Sequence, residues 1–132
     1  MLNRNVSEAE MDLRFLIEKA KILSSSFEEQ EKQLGFLGDN ITDDIANDWD
    51  WGCLCQTVNN LLEKNVISEE TKKLFVEIDK RFDEVSRKGK LFSHDIWTLD
   101  GLKKHPFWEK QRKLAKQLLN ELDKIQTEQN LH

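Results

Sequence analysis

From Pro106 to Ile125 the apolar residues Phe107, Trp108, Leu114, Ala115, Leu118, Leu119, Leu122 and Ile125 recur mostly at intervals of three and four. That spacing puts them on one side of a helix, and an apolar side of that length needs other elements to cover it. The rest of the chain offers helices for the purpose. One proline and five glycines stand among 132 residues rich in Leu, Lys, Glu and Gln, which leaves little turn chemistry for an all-β fold.

Ser7 followed by Glu10 has the spacing of a capping box, so a first helix is expected to start there. Leu13, Leu16, Ile17, Ala20, Leu23 and Phe27 share one face, continuing towards Leu34, and form its expected core stripe. Met11, Phe15 and Ile22 fall on the opposite face. A helix apolar on two sides is either central or carries an external contact strip. The stretch from Gly35 to Asn40 is expected to end it, with glycine supplying a left-handed cap.

A second helix is expected from Thr42 or Asp44 to Lys64, with Trp51, Leu54, Cys55, Val58, Leu61 and Leu62 inward and Trp49 and Cys53 on the other side. Asn65 suits a cap, and Ser68 opens a third helix whose Thr71, Leu74, Phe75, Ile78, Phe82 and Val85 run regularly to about Ser86. Residues 87–90 are a basic break, and 91–97 have no clean period and read as a packed connection. Thr98 caps a short helix through Lys104, Pro106 opens the last long one, and 127–132 are expected to fray. With no internal repeat and no sustained heptad, the expected fold is all-α: an irregular antiparallel bundle of four to five helices, one domain over 1–132.

Hydrophobic residues at 38% and charged residues at 34% describe a globular chain. The N-terminus mixes acids and bases without an apolar h-region, and no stretch reaches the length of a membrane span. Cys53 and Cys55 are too close in sequence to join distant segments by a disulfide, which suits a reducing compartment. A cytoplasmic location away from membranes is therefore expected. Charge is uneven: residues 1–70 hold fifteen acids and six bases, residues 71–132 ten acids and fourteen bases. The acidic front half disfavours nucleic acid as a direct ligand and suits a basic protein partner.

Catalytic constellations are missing. Residues two positions apart on a helix diverge by about 200°, so Cys53 and Cys55 cannot grip one ion, and Cys55 reads as core with Cys53 as a surface thiol. His94, His105 and His132 belong to no HExxH or ExxH motif, which removes zinc-hydrolase and di-iron ligand sets. No glycine motif cradles a phosphate or bends a nucleophile elbow. A non-enzymatic protein without cofactor or metal is expected. The enzyme alternative rests on His94 beside Asp95 as acid and base, a common adjacency. The bases Lys103, Lys104, His105, Lys110, Arg112, Lys113 and Lys116 flank Phe107 and Trp108. They alternate with a core stripe, so a solvated face is expected, one that pairs with the acidic front half, and not a phosphate track.

The stretch from Asp39 to Trp51 holds five aspartates, two tryptophans and no base. Two accounts compete. In one, an aspartate caps a helix, others favour its dipole and both tryptophans are core. In the other, helical angles point Trp51 inward and Trp49 outward among carboxylates, making an exposed hot spot for a basic protein. The aspartates do not follow the calcium-loop pattern.

A small acidic helical chain with an aspartate-and-tryptophan patch between Asp43 and Trp51 and no catalytic groups resembles the immunity proteins that bacteria pair with toxins, particularly nuclease toxins of contact-dependent growth inhibition systems. The resemblance implies a cytoplasmic protein that binds a basic toxin domain and occludes its active site or substrate-binding surface. The expected contact set is Asp39, Asp43, Asp44, Asp48, Trp49 and Asp50, with Met11 and Phe15 as hydrophobic extensions, on a monomer or weak dimer. The interaction-class alternative is a helical adaptor or secretion chaperone using the second apolar strip of the first helix.

Overall fold

The computed structural model describes residues 7–130, without the side chains of residues 39, 53, 129 and 130. The chain is all-helical, with seven α-helices and no strand among the described residues. The sequence predicts four or five. The first extra boundary comes from short polar side chains competing for backbone hydrogen bonds.

The first boundary is a run of serines. Helix α1 (Glu8–Ser24) begins as predicted, with the Ser7 hydroxyl accepting from the Glu10 amide. It stops at Ser25, whose Oγ donates to the Lys21 carbonyl at 2.6 Å and whose backbone is extended. Ser26 then caps α2 (Phe27–Leu34) by accepting from Glu29 N–H at 3.2 Å. The single helix expected from Ser7 to Leu34 is thus two, because three serines in a row offer one helix a stop and the next a cap.

A 3₁₀ segment follows (Gly35–Asn40), and the left-handed residue within it is Gly38 at φ 58°, while Gly35 stays right-handed. The second extra boundary divides the helix predicted from residue 42 or 44 to 64 into α3 (Ile41–Asn47) and α4 (Trp51–Glu63). Asp50 lies between them with ψ 125°, outside helical geometry. Asn65, expected as a cap, follows α4 at φ 59°, and Ser68 caps α5 (Glu69–Val85) as predicted.

The connection at residues 86–97 is tightly folded. Gly89 lies so close to α5 that a Cβ there would meet the Glu84 carbonyl at 2.1 Å. A 3₁₀ turn (His94–Trp97) leads to Thr98, which caps α6 (Leu99–Lys104) by accepting from Gly101 N–H at 2.9 Å. His105 caps the last helix through Nδ1, which accepts from Phe107 N–H at 3.0 Å. Helix α7 (Pro106–Asn130) continues past Thr127, and residues 131 and 132 of the expected tail lie outside the described residues.

Helix α7 packs along α1 and against α5, while α4 bridges α1 and α5. Its Trp108, Ala115, Leu118 and Leu122 are fully buried and meet Leu13, Leu16, Ile17, Ala20 and Leu23 of α1 in one continuous core. Burying a Leu- or Phe-sized side chain stabilises the fold by about 1.5–3 kcal/mol. Trp108 stands at the centre of an aromatic cluster with Phe82, Phe107 and Trp97, and its indole N–H donates to the Ile96 carbonyl at 2.8 Å. That bond and the one from Trp97 Nε1 to the Val85 carbonyl, also 2.8 Å, fix the irregular connection to the core.

Candidate functional site: an acidic, aromatic-walled cleft

The break at Asp50 decides where the aspartates and tryptophans go. In a continuous helix Trp49 and Trp51 diverge, and burying one exposes the other. Here Trp49 closes the C-terminal turn of α3, its amide donating to the Ala46 carbonyl at 3.0 Å. Its side chain is 1% exposed and stacks on Phe75 of α5 with ring centroids 5.7 Å apart. The expectation of an exposed Trp49 hot spot is therefore corrected: a change of backbone direction removes the angular relation that assigned it to the surface. Trp51 is half-buried against the core.

The aspartates separate into groups. Asp43 and Asp50 line a cleft of about 640 Å³. Asp48 faces α1, where Lys19 Nζ lies 3.1 Å from its carboxylate. Asp44 is exposed and does not line the cleft. The side chain of Asp39 lies outside the described residues. Lys19 also sits over the Phe15 ring, 5.1 Å from its centroid. The predicted extension on α1 is thus joined to Asp48 through one lysine. Met11 is 61% and Phe15 42% exposed, so α1 carries an external apolar strip and is not enclosed on both sides.

The wall opposite Asp43 comes from α5. Asp79, Phe82, Asp83 and the following Ser86 lie at i, i+3, i+4 and i+7 and line the cleft together, as one helix side requires. Phe92, His94 and Trp97 from the connection close it, with Arg87 as its one lysine or arginine among the described residues. The sequence reading missed Asp79 and Asp83. A signal was present: like charges at i and i+4 destabilise a helix by about 0.2–0.5 kcal/mol, a cost that surface filler has no reason to carry.

Asp79 has two roles in this arrangement. Its Oδ1 accepts from the Trp51 backbone N–H at 3.1 Å, so α5 caps the start of α4. Partial burial pushes its carboxyl above the ordinary value; the Trp51 hydrogen bond opposes this, while Asp50 and Asp83 add to it. Among the described residues no lysine or arginine forms an ion pair with Asp43, Asp79 or Asp83. The cleft therefore holds four carboxylates against the one guanidinium of Arg87.

Other predicted chemistry is dispersed. His94 lines the cleft, whereas Asp95 is exposed and outside the lining, so the structure does not bring the proposed acid and base into one pocket. Cys55 is a half-buried free thiol, and the Cys53 thiol and His132 lie outside the described residues. No group of three potential metal ligands occurs among the described residues.

Among the described residues, the basic run forms its ion pairs within its own half of the chain and not, as expected, with the acidic front half. Lys104 pairs with Asp100 at 3.2 Å, Lys113 with Glu109 at 3.6 Å, and Lys103 lies over Phe27. Arg112 donates to Gln30 Oε1 and to the Leu102 carbonyl. No described helix is long and apolar enough to cross a membrane. The chain matches no known family, no curated protein and no solved structure.

Proposed function

We propose that this chain is an immunity protein that neutralises a bacterial toxin by binding a basic surface of the toxin domain. The observation that carries this reading is the convergence of Asp43 and Asp50 with Asp79 and Asp83 in an aromatic-walled cleft. Surface carboxylates in a concave, partly apolar setting focus an electrostatic field that speeds encounter with a positive partner, while the aromatic walls supply contact area. A nuclease domain presents such a positive surface to its own substrate, so a protein seated there blocks it. The protein acts as a binder without cofactor, in the cytoplasm of the cell that makes the toxin, as a single irregular helical bundle. Asp48, Lys19, Phe15 and Met11 extend the contact on the α1 side.

The test uses the neighbouring reading frame, because an immunity gene normally lies immediately downstream of its toxin. Expressing the upstream product alone should arrest growth, and co-expressing this chain should restore it. Charge reversal at two exposed cleft positions, Asp43→Lys with Asp83→Lys, should abolish rescue while the variant keeps its helical circular dichroism. A harmless upstream product, or full rescue by the charge-reversed variant, would overturn the reading.

The exposed Met11 and Phe15 favour a second reading, a helical adaptor that docks its partner on α1. In that case Phe15→Ser abolishes partner binding and the cleft variant leaves it unchanged.

A further inference from the structure

The walls of the cleft differ in kind. Carboxylates come from α3 and α5, and flat aromatic surface from Phe92 and Trp97. The rings are held differently: Trp97 by its hydrogen bond to the Val85 carbonyl and its edge contact with Trp108, while Phe92 is 41% exposed at the rim. Asp79 is anchored by the Trp51 amide. A ligand entering here meets preset acceptors and a preset ring together.

Resting on the immunity reading above, we infer that the cleft is an arginine receptor: one arginine side chain of the partner inserts between the Asp79 and Asp83 carboxylates and the Trp97 and Phe92 rings.

Charge complementarity selects a cation, since Asp43, Asp79 and Asp83 are without an ion pair among the described residues. The aromatic walls select arginine over lysine. A planar guanidinium donates to two carboxylate oxygens and stacks on a ring at the same time, whereas an ammonium is a compact, strongly hydrated point charge. Entry into a partly desolvated cleft costs the weakly hydrated guanidinium less. The cleft's volume of about 640 Å³ lies within the range of about 300–1,000 Å³ usual for a small-ligand site.

The test is a titration of the full chain, ¹⁵N-labelled, with the blocked tripeptide acetyl-Gly-Arg-Gly-amide and its lysine counterpart at constant ionic strength. The arginine peptide should shift the Trp51 amide and Trp97 indole resonances saturably, with a Kd at least fivefold below that of the lysine peptide. Asp83→Asn with Asp43→Asn should weaken it at least fivefold, and Phe92→Ser, a rim substitution, at least twofold; the second variant serves if the first misfolds. Non-saturating shifts, equal affinity for the two peptides, or variants that bind as the parent does would overturn the arginine receptor. If the peptide fails while the charge-reversed cleft still abolishes rescue from the toxin, the arginine anchor falls and the cleft remains the docking surface.

Discussion

Trp49 sits at a position where local periodicity and tertiary packing give opposite answers, and packing wins. An indole buried to 1% exposure and stacked on Phe75 contributes more than an aspartate-ringed surface tryptophan could. Trp49→Ala should therefore cost about 3–5 kcal/mol of stability, the usual penalty for emptying a large core site. Urea denaturation measures it, and an unchanged midpoint would return Trp49 to the surface. The spacing did assign other single residues correctly: Ser7, Ser68 and Thr98 as caps, and Leu13 to Leu23 as core. Each of these depends on neighbours within one or two helical turns.

Between elements, the start of α4 depends on α5. Trp51 N–H is satisfied by Asp79, 28 residues away in sequence, so no local reading could find that cap. It also carries a pH signature. Burial first, and then Asp50 and Asp83, raise the Asp79 carboxyl above its ordinary value of 3.8, against the pull of the Trp51 hydrogen bond. The folded state then holds this proton more tightly than the unfolded chain. Stability from this group is complete below pH 3.8 and declines as pH rises through the folded value. Asp79→Asn keeps an acceptor for Trp51 and has no proton to lose. Its stability should fall less than the parent's between pH 3.8 and 7, read from urea midpoints across that interval. Parallel profiles would show that Asp79 does not titrate in this way.

At the scale of the whole molecule, Gln30 and Arg112 tie together helices that the sequence gives no reason to associate. The Gln30 amide donates to the Ile22 and Leu23 carbonyls at 3.0 and 3.2 Å, its oxygen accepts from Arg112 at 3.0 Å, and Arg112 donates in turn to Leu102. The end of α1, α2, the end of α6 and α7 thus share one buried polar knot, with 82 residues separating its two side chains. Burial lowers the Arg112 pKa, opposed by Glu28 and Glu109. Gln30→Ala removes the donor to the Leu23 carbonyl and one of the two acceptors of Arg112, at about 1–3 kcal/mol for an unsatisfied group. Thermal unfolding should show the loss, and a neutral outcome would mean that water replaces the amide.

The amphipathic run from Pro106 to Ile125 settled by itself that the chain is helical, because period and capping are local properties set by side chains a few residues apart. The same periodicity in the other helices identified most of the core, since a residue on the inner face of a regular helix has one place to go. Only the tertiary structure decided that a helix breaks at Asp50, which way Trp49 turns, and that Asp79 and Asp83 face Asp43 and Asp50. The break at Asp50 goes with an amide that finds its acceptor elsewhere, as Trp51 N–H does on α5. The cleft depends on two helix sides meeting, which no spacing within either helix can encode.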